Sequence, residues 1–183
     1  MPDTLTPAQR HANMAAIHSS STKPELKLRH ALWHLGFRYR VNYTRLPGSP
    51  DIVLPKYRTA IFVHGCFWHG HKGCPNYTVP KTNTNFWSAK IARNRERDQE
   101  TWSQLEAKGW FVIIVWECEL KKQRLQETIV ATTSAIKKNG EILRCYNDYK
   151  RSAQEEYRQA QREQKARESA LKKELHRKYP QQY

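Results

Sequence analysis

The chain has 183 residues, of which 32 are Lys or Arg and 17 are Asp or Glu, so its formal net charge is +15. This length permits one domain with its own hydrophobic core, and so large a positive charge favours a polyanionic partner. No apolar run approaches the ~20 residues of a membrane span and no signal peptide is recognisable, so we expect a cytoplasmic, nucleoid-associated protein without membrane contact. The four Cys are then expected as thiols or metal ligands.

Two helices are predicted in the first 36 residues. Thr6 is a good N-cap with a proline after it, which predicts a short helix ending at about Ile17. The spacing of Thr22 and Glu25 is that of a capping box, and it predicts a second helix that ends before Gly36. Three leucines share one face of this second helix and form its expected buried stripe: Leu28, Leu32 and Leu35.

Strands and a long helix follow. Runs of β-branched and aromatic residues predict three strands, over residues 37–43, 51–54 and 59–64. An irregular segment over 65–84 leads into a long helix over 85–108. The continuous apolar run over 110–116 predicts a strand that is buried on both faces. The predicted order is therefore helix, three strands, helix, strand, which is an α/β fold.

The chain beyond residue 119 is more polar than the predicted core. Residues 121–138 have the pattern of an amphipathic helix. Residues 150–178 are strongly charged with few apolar anchors, which is typical of a solvated helix or of a partly disordered extension.

A carboxylate stands at the start of the second predicted strand. Asp51 follows Pro50 in a rigid turn, from which it can hold Mg²⁺ at the edge of a sheet, because Mg²⁺ needs only one or two carboxylates beside water and phosphate. An ordinary Pro-Asp turn is the alternative. His64 ends the next strand and comes close to Asp51 if the two strands pair as a hairpin, which favours a catalytic metal site.

Two further carboxylates lie on predicted buried helix faces. Glu25 is explained by its capping box, but it also shares an apolar face from which it can reach Asp51 and bind water or support a metal. Asp98 falls in the buried stripe of the long helix, where an unpaired charge is costly. Either two neighbouring arginines neutralise it or, as we prefer, it orients His69 as a base. The apolar members of that stripe are Trp87, Ile91, Trp102 and Leu105.

Residues typical of metal ligands follow the third strand. Cys66, His71 and Cys74 lie in one loop and Cys118 comes directly after the last core strand, an arrangement by which zinc can attach a loop to a framework. The spacing is not that of a standard zinc finger, so free thiols are the alternative. The spacing also suits His69 as the ligand in place of His71.

Three aromatic residues lie beside these groups: Phe67, Trp68 and Trp87. In one interpretation they cover the metal loop and pack in the core. In the other they insert between base pairs, since an apolar side chain can unstack a base step for a few kcal/mol.

Several motifs together resemble those of the very-short-patch DNA mismatch-repair endonucleases. They lie in family order over residues 8–120 and include Pro47-Gly48-Ser49-Pro50-Asp51, His64-Gly65-Cys66-Phe67-Trp68-His69, Asn94-x-x-Arg97-Asp98 and Trp116-Glu117-Cys118. The resemblance implies a restriction-endonuclease-like fold and an enzyme that nicks double-stranded DNA beside the T of a T:G mismatch left by 5-methylcytosine deamination. The acidic-x-Lys pair usual in that fold is absent, which favours His-assisted chemistry.

The resemblance also implies roles for individual residues. Catalytic Mg²⁺ would be held by Asp51 and the backbone carbonyl of Val63, and the catalytic group would comprise Asp51, His64, His69, Glu25 and Asp98. Structural Zn²⁺ would be bound by Cys66, His71, Cys74 and Cys118. The wedge that opens the mismatch would be formed by Phe67, Trp68 and Trp87, and the N-terminal helix would contact DNA through Arg10, Asn13 and Met14.

We expect three parts: a DNA-contacting N-terminal helix over residues 1–21, an endonuclease core with its zinc site over 22–120, and a basic helical extension over 121–183. The expected partner is double-stranded DNA with a T:G mismatch, bound by a monomer, with mismatch-repair proteins or a cytosine methyltransferase as further partners. The alternatives are a nuclease of the same fold with another specificity and a non-catalytic zinc-stabilised DNA-binding module.

Overall fold

The computed structural model describes residues 6, 8–9, 20–81 and 83–178. Most of the predicted N-terminal helix lies outside these residues, and so do the proposed DNA contacts Arg10, Asn13 and Met14. The elements in chain order are α1 (Lys23–His34), β1 (Arg40–Val41), β2 (Ile52–Leu54), β3 (Thr59–His64), α2 (Thr84–Ala107), β4 (Phe111–Trp116) and α3 (Leu125–Lys178). A short 3-10 turn, Pro55–Tyr57, connects β2 to β3.

The four strands form one mixed sheet in the order β1-β2-β3-β4. β1, β2 and β3 pair antiparallel, with Val53 opposite Ala60 in the predicted hairpin. β3 and β4 pair parallel, with His64 opposite Trp116, and α2 makes the crossover that a parallel pair requires. The carboxyl ends of β3 and β4 therefore lie side by side.

The core consists of two layers, one on each face of the sheet, because successive strand residues point to opposite sides. One layer packs α1 and the first turns of α3 against the sheet through residues that include Leu28, Leu32, Ile61, Val115 and Ile136. The other packs α2 against the opposite face through Ala60, Phe62, Leu105 and their partly buried neighbours. Both faces of the central strand β3 are thus covered.

Several details of the prediction were wrong. The strand expected over 37–43 is reduced to Arg40–Val41, because Phe37 turns into the core and Asn42 has a positive φ of 44° that ends the extended backbone. Leu35 is 57% exposed, since α1 ends at His34 and the chain turns away before Leu35 can pack.

The third error concerns β4. Only Val115 among its residues is buried, although the strand was expected to be buried on both faces. The reason is its place at an edge of the sheet, where it pairs with β3 alone. The stripe of α2 is likewise less buried than predicted: Ile91, Asp98 and Leu105 are buried, whereas Trp87 and Trp102 are partly exposed.

The polar C-terminal part of the chain is helical. A single helix runs over Leu125–Lys178 where two separate segments were predicted. The chain divides into two compact units, Met1–Gly140 and Glu141–Tyr183. The described residues of the second unit are almost entirely exposed, as expected for a solvated helix. Among the described residues, no helix is long and apolar enough to cross a membrane.

Candidate active site and metal centre

One cavity of about 790 Å³ collects all the residues predicted as the catalytic group. The five come from α1, from the turn before β2, from the end of β3, from the loop after it and from α2: Glu25, Asp51, His64, His69 and Asp98. The hairpin of β2 and β3 is the feature that brings the turn and the strand end together, as the sequence predicted.

Asp51 is oriented by the backbone of the neighbouring strand. Its Oδ2 accepts a hydrogen bond from the N–H of Val63 at 2.7 Å. Burial raises the pKa of Asp51 to about 6, and the charge of Glu25 also raises it, whereas the Val63 bond, Arg29 and His69 lower it. A carboxylate that is costly to ionise in the bare protein is one that a cation would stabilise. Asp51 therefore fits a site for a divalent cation.

Glu25 lies in the first turn of α1, where it completes the capping box, and it also lines the cavity. Its carboxylate accepts hydrogen bonds from the N–H of Ser21 at 2.9 Å and from the hydroxyl of Thr22 at 2.7 Å. Arg29, one turn later and also buried, forms an ion pair with Glu25 at 2.9 Å and donates to the backbone carbonyl of Asp51 at 3.1 Å. The capping role and the cavity role of Glu25 are thus compatible. Sequence reasoning missed Arg29, although its i,i+4 spacing from Glu25 was a usable signal.

Asp98 pairs with His69, as the burial of an acidic residue on α2 predicted. The distance between His69 Nδ1 and Asp98 Oδ2 is 2.5 Å. The ring of His64 stacks on the ring of His69 with 3.7 Å between centroids, and its Nδ1 lies 4.0 Å from Asp98. Burial and the adjacent His69 lower the pKa of His64 to about 4, although Asp98 acts in the opposite direction. His64 is therefore neutral at pH 7.

The loop that carries His69 is fastened to α2 at two points one helical turn apart. Asn94 donates to the carbonyl of Trp68 at 2.9 Å, and Asp98 binds the next residue. Gly70 has a φ of 62°, and a Cβ there would lie 2.8 Å from the side chain of Ile91. Only glycine allows the loop to approach the helix this closely, so Gly70 and Asn94 help to place His69.

A second group of ligand-type side chains lies at the end of β4. The ligand atoms of Cys66, His71, Cys74 and Cys118 all lie within 4.8 Å of one another. His71 Nδ1 is 3.4 Å from the sulfur of Cys66 and 3.5 Å from that of Cys118. A tetrahedral zinc site with ~2.3 Å Zn–S and ~2.0 Å Zn–N bonds has S···N separations of about 3.5 Å. The cluster therefore matches the dimensions of a metal site, and it contains His71 and not His69.

Two of the three metal-free thiols of this cluster, those of Cys66 and Cys118, resist ionisation, whereas for Cys74 the effect of burial is outweighed by hydrogen bonds and by Lys121, which lower its pKa. Burial raises the pKa of Cys66 to about 12, and the neighbouring Cys118 and Cys74 thiols raise it as well, although a backbone bond from Cys118 opposes them. Burial also raises the pKa of Cys118. A bound cation would reverse this preference, because metals coordinate the thiolate.

Trp116 and Glu117, the two residues that precede Cys118, connect the thiol cluster to the catalytic cavity. Trp116 stacks on His71 with 4.0 Å between ring centroids and meets His64 edge-on at 5.5 Å. Glu117 accepts a hydrogen bond from the N–H of Cys66 at 2.9 Å and donates its own N–H to the carbonyl of His64. Sequence reasoning missed these links, which follow from the parallel pairing that sets Trp116 beside His64.

The three predicted wedge aromatics form one cluster. Phe67 meets Trp68 and Trp87 edge to face, each with 5.2 Å between ring centroids. Phe86, which sequence reasoning missed, joins them and is 53% exposed. Lys90 places its ammonium 5.6 to 5.8 Å from three of the rings, those of Trp68, Phe86 and Trp87. A cation over partly exposed aromatic rings is suited to contact with a nucleic acid.

A buried carboxylate suited to a cation, a His–Asp pair in the same cavity and a basic, aromatic surrounding are features of a nuclease. Comparison with known proteins agrees. A family model described as DNA mismatch endonuclease Vsr matches residues 2–75. The DNA mismatch endonuclease Vsr of Escherichia coli is 46% identical over 121 residues, which is 66% of this chain and 77% of the relative. The chain belongs to the Vsr family of DNA mismatch endonucleases.

Other relatives bear a different description. The type II nicking enzyme V.NmeAIP of Neisseria meningitidis is 50% identical over 125 residues, 68% of this chain and 89% of the relative. The type II nicking enzyme V.XorIIP of Xanthomonas oryzae is 48% identical over 120 residues, 66% of this chain and 88% of the relative. Family membership makes the chain an endonuclease, a hydrolase that acts on DNA, and removes the alternative of a non-catalytic binding module.

Proposed function

We propose that this endonuclease nicks double-stranded DNA beside the T of a T:G mismatch, such as deamination of 5-methylcytosine produces, and that the reaction requires Mg²⁺. The observation that carries the proposal is that Asp51 and the His69–Asp98 pair line the same cavity. The aromatic cluster around Trp68 supports the mismatch part of the proposal, since Trp68 also lines that cavity.

Asp51 and the backbone carbonyl of Val63 would hold the Mg²⁺. The raised pKa of Asp51 and its fixed orientation toward the Val63 peptide support this assignment. Bound Mg²⁺ would supply electrostatic stabilisation of the charge that develops on the phosphate oxygens. Glu25 would remain paired with Arg29 and act on water at the rim of the same site.

His69 would act as the general base. Its Nδ1 is engaged by Asp98, so the Nδ1–H donates to that carboxylate and Nε2 is left to accept a proton. An attacking water would transfer its proton to Nε2 as its oxygen bonds to phosphorus, and the P–O bond to the leaving oxygen would break. Asp98 would stabilise the resulting imidazolium. His64, stacked on His69 and neutral, would hold the ring without adding a competing charge.

Zn²⁺ is proposed for the cluster of Cys66, His71, Cys74 and Cys118, in a structural role. Three thiols and one imidazole form a known donor set for a closed zinc site. The ion would attach the irregular segment after β3 to the end of β4. Because Trp116 and Glu117 connect that point to His64, the ion would also support the shape of the catalytic cavity.

Phe67, Trp68 and Trp87 are proposed as the wedge that opens the mismatch, and an N-terminal segment over residues 1–21 is proposed to contact the DNA. The core over 22–120 would be of the restriction-endonuclease-like type, followed by the extension over 121–183. A T:G pair is less costly to unstack than a matched pair, which would give an inserting aromatic cluster its selectivity. One chain contains all the groups of the proposed site, which suits a monomer that cuts one strand.

A second candidate is a nicking endonuclease of the same fold with another specificity. It is favoured by the description of several relatives as type II nicking enzymes. The chemistry at Asp51 and His69 would be unchanged, and only the choice of DNA target would differ.

The deciding experiment is nicking of a labelled duplex with one T:G mismatch, in Mg²⁺ or in EDTA, beside a matched T:A duplex. We expect a Mg²⁺-dependent nick in the T strand of the mismatched duplex alone. Cutting of both duplexes would favour the second candidate. Cutting in EDTA would refute the role of Mg²⁺. Asp51→Ala should bind the mismatched duplex without nicking it, and full activity of this variant would overturn the assignment of Asp51.

A further inference from the structure

The charges of the C-terminal unit follow a helical pattern. Residues 141–178 contain eleven Lys or Arg and seven Asp or Glu. Five of the basic residues recur at intervals of seven: Arg144, Arg151, Arg158, Lys165 and Lys172. Seven residues are nearly two helical turns, and each such step drifts by about 20°, so the five lie within an arc of about 80°. All five are exposed, and we name them the basic stripe.

The charge of this stripe is little neutralised. Three acidic residues flank one edge of the stripe, Glu141, Asp148 and Glu155, but none of the seven lies within its arc. Among the described residues the stripe has one ion pair, between Arg151 and Asp148 at 3.8 Å, and both side chains are more than 60% exposed. Ion pairs this exposed contribute little energy. The stripe is therefore a row of positive charges that are free to meet an anion.

The opposite face of the helix is apolar but interrupted. Tyr146, Tyr149 and Leu171 are each more than half exposed on that side. Gln164 and Arg167 interrupt the apolar residues between them. A helix that lies in a membrane surface needs a continuous apolar face, which this one lacks, and its seven acidic residues would oppose an anionic lipid surface. The observations favour a nucleic acid as the partner of the stripe.

We propose that the basic stripe binds the phosphate backbone of duplex DNA without reading its sequence, as an accessory arm of the endonuclease. The proposal rests on the family's action on DNA and not on the T:G specificity. Arg151, Arg158 and Lys165 span 14 residues, about 21 Å of helix. That length exceeds the ~12 Å width of the major groove, so the arm can contact phosphates on both sides of a groove. Arginine, two of these three residues, suits phosphate through its planar fork of donors.

The chain is longer than a relative that it matches over most of that relative's length. V.NmeAIP is matched over 89% of its own length by only 68% of the chain, so the chain is longer than that relative. An endonuclease with additional backbone contacts would bind DNA more tightly at every sequence and would search longer before it dissociates.

Two full-length variants with equal loss of charge test the proposal. The stripe variant carries Arg151→Gln, Arg158→Gln and Lys165→Gln. The control carries Lys150→Gln, Arg167→Gln and Lys178→Gln, which remove three exposed charges of the same helix outside the stripe. Affinity for a matched duplex is measured between 50 and 200 mM KCl. Each lost phosphate contact lowers the slope of log K against log salt by about 0.9, so the stripe variant should lose about 2 to 3 and the control almost nothing.

Equal slopes for the two variants would overturn the proposal. It would also be overturned if the stripe variant kept its affinity for DNA and instead lost affinity for anionic phospholipid vesicles. Circular dichroism checks that both variants keep their helix. Nicking at low salt is measured separately. The stripe variant should nick as the wild-type protein does at saturating enzyme. A wild-type protein that fails to nick the T:G duplex would refute the proposed specificity, while a difference in salt slope would still establish the arm.

Discussion

Asp51→Asn should make the metal-free protein more stable while it abolishes nicking. The folded protein holds Asp51 with its pKa raised to about 6, against an ordinary value of 3.8. A shift of this size corresponds to a cost of about 3 kcal/mol for the ionised side chain at pH 7.5, because each pKa unit is about 1.36 kcal/mol. Asparagine carries no charge, and its Oδ1 can still accept the hydrogen bond from Val63. The cost is therefore removed and the contact is kept.

The pH dependence identifies the cause. Between pH 3.8 and about 6 the folded state holds a proton on Asp51 that the unfolded state has lost, so the stability of the wild-type protein rises as the pH falls through 6. The advantage of Asp51→Asn should shrink from about 3 kcal/mol at pH 7.5 to about 1.6 kcal/mol at pH 5. The lowered pKa of His64 acts in the opposite direction, because the folded state loses stability as the pH falls from 6.5 to about 4. This effect is the same in both proteins and cancels in the comparison.

The assay is urea unfolding of both proteins in EDTA at pH 7.5 and pH 5. Asp148→Asn, at an exposed carboxylate, is the control and should change stability by less than about 0.5 kcal/mol. Added Mg²⁺ should stabilise the wild-type protein and not Asp51→Asn, because a ligand stabilises only the state that binds it. The reasoning is refuted if Asp51→Asn is the less stable protein at both pH values, which would mean that the carboxylate is a net stabilising group.

Three further predictions concern neighbouring groups. Arg29→Met should lower the free energy of unfolding in urea by about 3 to 5 kcal/mol, because it leaves the buried Glu25 unpaired. Adding Glu25→Gln to this variant should restore part of the loss. If it does not, Arg29 acts through packing alone. Asp98→Asn should lower kcat by about 10²- to 10⁴-fold with little change in DNA affinity, because it favours the wrong His69 tautomer, and an unchanged kcat would remove the pair from the reaction. Cys118→Ser should lower both the bound zinc measured by atomic absorption and the Tm, whereas Cys145→Ser, at an exposed thiol outside the cluster, should change neither; equal zinc in both variants would contradict the assigned site.

The sequence by itself determined the elements and much of the site. Capping residues, periodicity and turns predicted the second helix, the hairpin, the long helix and the last strand, because these signals are local. The hairpin alone was enough to bring Asp51 toward His64, since neighbouring antiparallel strands must meet. An acidic residue on a buried stripe likewise required a partner, and Asp98 has one in His69.

The tertiary structure decided what depends on distant segments. Whether His69 or His71 lies with the three thiols could not be read from spacing, because both histidines are in the loop between Cys66 and Cys74. The links of Trp116 and Glu117 to the cavity required the parallel pairing of β3 with β4, which α2 separates in the chain. The exposure of β4 followed from its place at a sheet edge. An apolar run in the sequence does not distinguish an edge strand from a central one. Burial and pairing across the fold are properties of contacts between segments, and no single segment encodes them.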